Sequence, residues 1–90
     1  MRLDKFLVVA RLVKQRTRAK ELCDAGHVKI GGKSAKAAHA VTEGEVIELT
    51  LPRRRLVVAV EAVPAAKSVP KAEAPTLYKI LEDERTDRLE

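Results

Sequence analysis

Apolar residues recur at helical spacing along the first stretch of the chain. Leu3, Phe6, Leu7, Ala10 and Val13 follow the i, i+3, i+4, i+7 pattern of one helix face. Asp4 lies in the first turn of that helix, where the backbone dipole favours a carboxylate. Arg2, Lys5, Arg11 and Lys14 occupy its other faces, and Lys14-Gln15-Arg16 reads as a connection. Thr17 is placed as the N-cap of a second helix, because its hydroxyl can accept from an unpaired N–H of the first turn. Ala19, Leu22 and Cys23 then form an apolar side opposite Arg18, Lys20 and Glu21. Gly26 is the expected stop, since glycine takes the left-handed C′ conformation without a Cβ penalty.

Beyond Gly26 the period changes. Val28 and Ile30 alternate with His27 and Lys29, as in a strand. Gly31-Gly32 suits the positive φ angles of a tight hairpin turn. KSAKAAHAV, residues 33–41, reads as an extended or irregular connection, and Thr42-Glu43-Gly44-Glu45 as a turn. Val46, Ile47, Leu49 and Leu51 make a strand that Pro52 ends. Arg53-Arg54-Arg55 is read as the next turn, and LVVAVEAV (56–63) as a second β-rich run. The pattern breaks at Pro64. This divides the chain into a domain at 1–63, a Pro/Ala linker at 64–75 and a short C-terminal helix at 76–90. In that helix Thr76 is the cap, Leu77, Ile80 and Leu81 are apolar, and Glu82, Asp83 and Glu84 are exposed.

Charge adds a direction. The net charge is +5, but residues 1–40 alone carry ten Lys/Arg against three Asp/Glu, so the whole excess sits in the two-helix half. A basic half points to nucleic acid or an anionic membrane. The membrane reading is weak. No apolar run approaches the roughly 18–20 residues of a spanning helix, and charges break MRLDKFLVVARLVK where a secretory signal needs an unbroken core. The single cysteine, Cys23, has no internal disulfide partner and reads as a small buried residue of a reducing cytoplasm.

The only aromatics are Phe6 and Tyr78, and Phe6 is on the apolar helix face. Proteins that read single strands stack bases on several aromatic rings. This chain is therefore expected to grip folded RNA through phosphates, 2′-hydroxyls and shape. The leading contacts are Arg2, Lys5, Arg16, Lys20, Lys33 and Lys36, with Lys14 beside them. Arg2, Lys5 and Arg16 stand at helix starts, where free N–H groups also attract phosphate. Arg16 is the strongest single candidate, because a planar guanidinium can hold a phosphate bidentately. Against this stand plainer readings. Any one lysine can be merely solvated. Asp4 is either a helix-start carboxylate or a group that orients Arg2 or meets a nucleotide. Thr17 is a cap, a phosphate donor or both. His27 and His39 are lone histidines without metal-site spacing. Arg53-Arg54-Arg55 is a solvated turn or an auxiliary RNA contact. Gly31-Gly32 lacks the lysine and serine spacing of a phosphate loop. No nucleophile–base set, metal or cofactor motif is visible, so no enzymatic activity is expected.

RLDKFL at 2–7, RTRAKEL at 16–22, GHVKIGG at 26–32 and VTEGEVI at 41–47 together resemble the S-four RNA-binding domain. The RT-x-AKE stretch and the LYKIL segment resemble, more narrowly, the small stand-alone members of the heat-shock-protein-fifteen class. The chain departs from that pattern in its Gly-Gly turn, usually Asn-Gly, and in lacking a common proline at 35–40. The resemblance implies an α+β fold: two N-terminal helices packed on a small antiparallel sheet, L-shaped. It implies binding to large ribosomal subunits that hold an obstructed peptidyl-tRNA, with contacts to 23S rRNA and the tRNA. It also implies work alongside an RqcH-like factor that adds C-terminal alanines; a cytoplasmic monomer is expected. The resemblance places the Arg-x-Asp-Lys start, Arg2, Asp4 and Lys5, on the RNA surface. Two other functions fit the same residues: a general heat-shock protein binding free large subunits, and a targeting module for an RNA-modifying enzyme in trans.

Overall fold

The computed structural model describes residues 1–64 and 74–85. In chain order these form α1 (Leu3–Val9), α2 (Arg16–Asp24), β1 (Val28–Ile30), β2 (Lys33–Ser34), β3 (Val46–Leu51), β4 (Arg54–Val60), a 3₁₀ turn (Ala74–Leu77) and β5 (Tyr78–Arg85). The strands make one antiparallel sheet in the order β2-β1-β3-β4-β5. Both helices share one core with one face of the sheet. Leu3, Phe6, Leu7, Leu22 and Cys23 are buried together with Val28, Ile47, Leu49, Leu56, Val58 and Val60. The α+β architecture and the helix pairing expected from the apolar pattern are both present.

α1 is shorter than its apolar stripe. Ala10 is its C-cap and Arg11 takes a left-handed conformation at φ 64°. The N–H groups of Leu12 and Val13 both donate to the Leu7 carbonyl, at 2.9 and 3.1 Å. This tight turn keeps Ala10 and Val13 buried while redirecting the chain into α2. Thr17 is not a cap. The helix starts two residues earlier than that cap would place it, at Arg16, behind an extended Gln15 that makes no side-chain cap bond. With Arg16 already helical, its side chain comes within reach of α1. The stop is as expected: Gly26, at φ 80°, follows the C-cap Ala25. The Gly31-Gly32 pair, at φ 62° and 83°, closes a two-residue hairpin in which Ile30 faces Lys33.

Two further expectations are corrected. Only Pro52-Arg53 turns, and Arg54 and Arg55 begin β4. The C-terminal helix expected at 76–90 does not form over residues 78–85, which are β5, paired along the whole of β4. Cross-strand charge accounts for both. Arg54 donates Nε and Nη2 to the two Asp83 oxygens, each at 2.8 Å. Arg55 reaches Glu48 at 3.0 Å, Glu82 at 2.8 Å and Glu84 at 3.6 Å. The acidic run that read as one solvated helix face is thus consumed by an arginine pair on the neighbouring strand. The register shifts at Val57/Val58, the kind of irregularity that blunts an edge strand. Most of the linker, residues 65–73, and the last part of the expected helix, 86–90, lie outside the described residues.

Cys23 is buried on α2, and burial, with Asp4 and Asp24 nearby, pushes its thiol up to about 11. The thiolate is the reactive form. A thiol reagent at pH 8 is therefore expected to leave native Cys23 unmodified and to label it fully in denaturant. Rapid labelling of the folded protein would contradict this burial.

Candidate nucleic-acid interface

The site grows from the start of α1. Asp4 is buried, with its side chain only 3% exposed, and three groups donate to it. The Lys5 backbone N–H reaches Oδ1 at 2.8 Å. Arg2 donates Nε to Oδ1 at 3.3 Å and Nη2 to Oδ2 at 3.5 Å. Arg16, from α2, donates Nε to Oδ2 at 3.2 Å. Burial by itself would raise the Asp4 pKa. The hydrogen bond from Arg16, the two guanidinium charges and the Lys5 N–H outweigh it and hold the carboxyl below its usual value. Both arginines remain half exposed, at 50% and 51%.

Around this centre, Arg2, Asp4, Arg16, Thr17 and Lys20 line an open groove of about 420 Å³. It adjoins a second, of about 510 Å³, that shares Arg2 and Lys20 and continues past Asp24 and Ser34 to Lys36. The structure thus brings Arg2, Asp4, Arg16, Thr17, Lys20 and Lys36 onto one surface. Lys5, Lys14 and Lys33 line neither groove: Lys5 is half-buried on α1, Lys14 is exposed between the helices, and Lys33 is exposed on β2. Sequence reasoning missed Ser34 and the alanines on either side of Lys36, at 35, 37 and 38. The signal was present, since small side chains at Ala35, Ala37 and Ala38 leave a groove floor open to close approach.

The segment carrying Lys36 is stitched to the N-terminus. Leu3 and Asp4 donate their N–H groups to the carbonyls of His39 and Ala37, at 2.8 and 3.2 Å, and Val41 donates to Met1 at 2.9 Å. This corrects one expectation: with Lys5 N–H on Asp4 and Phe6 N–H on the Arg2 carbonyl, the first amides of α1 are taken and do not await a phosphate. Glu45 secures the far end of the segment. It accepts from the Thr42 N–H at 2.8 Å and meets His39 Nε2 at 2.9 Å. Burial would raise the Glu45 pKa, but these partners lower it. Arg54 and Arg55 are committed to carboxylates of the sheet. Among the described residues no cluster of His, Cys, Asp and Glu has the makings of a metal site, and no helix is long and apolar enough to cross a membrane.

A sign for acid stability follows. The folded pKa of Asp4 lies below its unfolded value, so its contribution is complete above the unfolded carboxylate range and fades as pH falls through the folded value. Glu45 and Asp83 shift the same way. The melting temperature is expected to be level from about pH 5 to 7 and to fall below about pH 4. Asp4→Asn should flatten part of that fall, and an identical acid limb in the variant would remove Asp4 as a cause.

A small α+β domain that gathers Arg2, Arg16 and Lys20 over one open groove has the make-up of an RNA-binding domain. Comparison with known proteins agrees. The S4 domain matches residues 1–47. The chain is 43% identical over 90 residues to the RQC P-site tRNA stabilizing factor of Halalkalibacterium halodurans, covering all of both chains. It is 44% identical over 85 residues to the protein of that name from Bacillus subtilis, covering 94% of this chain and 96% of the relative. Heat Shock Protein 15 of Vibrio cholerae, solved as a trimer, is 30% identical with a TM-score of 0.81, covering 89% of this chain and 80% of that one. The chain belongs to the S4-domain family of RQC P-site tRNA stabilizing factors, also called RqcP.

Proposed function

We propose that this chain is a non-catalytic, cytoplasmic factor of ribosome quality control. It binds large ribosomal subunits that still hold an obstructed peptidyl-tRNA, touches 23S rRNA and the tRNA, and supports alanine tailing by an RqcH-like factor. The observation carrying this is the gathering of Arg2, Arg16 and Lys20 over one groove that runs on to Lys36. Arginine forks and lysine points suit phosphate oxygens, and half or more of the contacts to a folded nucleic acid go to its backbone. Phe6 is fully buried and Tyr78 packs partly against the core, so neither ring is offered to an unstacked base. That favours folded rRNA and tRNA over single strands. Thr17 lies within the groove as a hydroxyl donor. Lys5, Lys14 and Lys33 act around its margin as longer-range attraction.

A second reading, implied by the sequence resemblance to the heat-shock-protein-fifteen class, is general binding of free large subunits. Pull-down of the tagged protein from cells separates the two. Large-subunit rRNA together with tRNA and an RqcH-like protein is the expected result. Large subunits without tRNA would move the function to the general reading. Absence of ribosomal RNA would overturn both.

A further inference from the structure

Asp4 is the one charged side chain buried among the described residues. A helix-start carboxylate needs only a backbone N–H and works from the surface. Here the carboxylate is taken out of water, which is unfavourable unless it is paired and hydrogen-bonded. Its side-chain partners come from either side of the two-helix unit, one just before α1 and one at the head of α2. Resting on the RNA-binding reading above, we infer that Asp4 is a positioning residue for the interface: it holds Arg2 and Arg16 side by side so that both engage one stretch of phosphodiester backbone.

Donor accounting supports this. A guanidinium has five N–H donors in a fixed fork. Arg16 directs only Nε at Asp4, which leaves both Nη groups, the end of the fork, for a phosphate. Arg2 directs Nε and Nη2 inward and keeps Nη1. Both side chains are half exposed over the groove that Thr17 and Lys20 complete. A free arginine loses rotamer freedom when it grips a ligand. Two arginines already held by a buried anchor lose less, and they arrive in a defined relative geometry.

The inference has a sign that simple charge counting opposes. Asp4 places a negative charge in a cationic groove, so removing it would tighten a purely electrostatic grip on a polyanion. If Asp4 positions the arginines, removing its charge loosens the grip. The test is the affinity of labelled protein for purified bacterial large ribosomal subunits carrying peptidyl-tRNA, at one fixed salt concentration and well below the melting temperature of each variant. Asp4→Asn is expected to bind about tenfold more weakly, the effect of one lost charge-assisted hydrogen bond. In an Arg2→Ala/Arg16→Ala background the same change should leave affinity unchanged or raise it. Asp4→Asn binding as tightly as the parent or tighter would overturn the inference. So would equal weakening without the arginines, since Asp4 would then act through the fold alone. Should Asp4→Asn fail to fold, Arg16→Lys carries the test: it keeps the charge and a donor for Asp4 but lacks the fork. A loss of about fivefold supports positioning, and unchanged affinity overturns it. If the double arginine variant binds as well as the parent, the RNA reading of this face fails and the inference fails with it. If that variant is weak while Asp4→Asn is not, only the inference falls.

Discussion

Lys20→Glu is expected to weaken association with large ribosomal subunits about ten- to a hundredfold at physiological salt, without shifting the melting temperature. Lys20 lines both grooves, so a phosphate backbone following the surface must pass it. Among the described residues it has no ion pair, and it is exposed, so the fold does not depend on it. Reversal removes one cationic contact and adds a repulsive charge in its place. With about four to six phosphate contacts, the logarithm of the binding constant should fall with log salt at a slope of about −3 to −5 in the parent, shallower by about 1–2 in the variant. Lys20 is a cleaner probe than Arg16. Arg16 is one of two cations holding a buried carboxylate, so its loss also costs stability. Unchanged affinity and salt slope in Lys20→Glu would take the RNA surface away from these grooves.

The largest effect on folding is expected at Phe6. It is fully buried, the largest side chain in that state, in the core shared by α1, α2 and the sheet. Truncation of a buried Phe to Ala costs about 3–5 kcal/mol through lost transfer energy and the cavity left behind. Small domains hold a total margin of about 5–15 kcal/mol. Phe6→Ala should therefore bring the denaturation midpoint down by a large fraction of its value, with part of the population unfolded near the physiological temperature. A loss below about 1 kcal/mol by chemical denaturation would mean the helix–sheet interface closes over the gap and that Phe6 is not the keystone of this core.

Several features of the molecule are written in short-range pattern. The two helices, the glycine stop, the Gly-Gly hairpin and β3 follow from periodicity and turn chemistry, because each is decided by neighbours a few residues away. The basic half and the scarcity of aromatics are likewise legible in the sequence and carry the expectation of folded RNA, since both are sums over side chains that no packing arrangement changes.

Other features depend on partners distant in the chain, and those only the tertiary structure decides. Leu77, Ile80 and Leu81 are spaced as on a helix, yet 78–85 is a strand because its backbone pairs along the whole of β4, with Arg54 and Asp83, 29 residues apart, bonded across the two strands. α2 starts at Arg16, whose side chain bonds Asp4 twelve residues back, and not behind the cap that Thr17 could form. The segment at 37–41 takes the first two amides of α1, at Leu3 and Asp4, so that terminus offers no free N–H groups and the groove beside it is lined by side chains. Local pattern determines which elements form and what kind of ligand they suit. Burial and non-local pairing determine which of the cations expected from the sequence share one surface, with Asp4 buried beneath two of them.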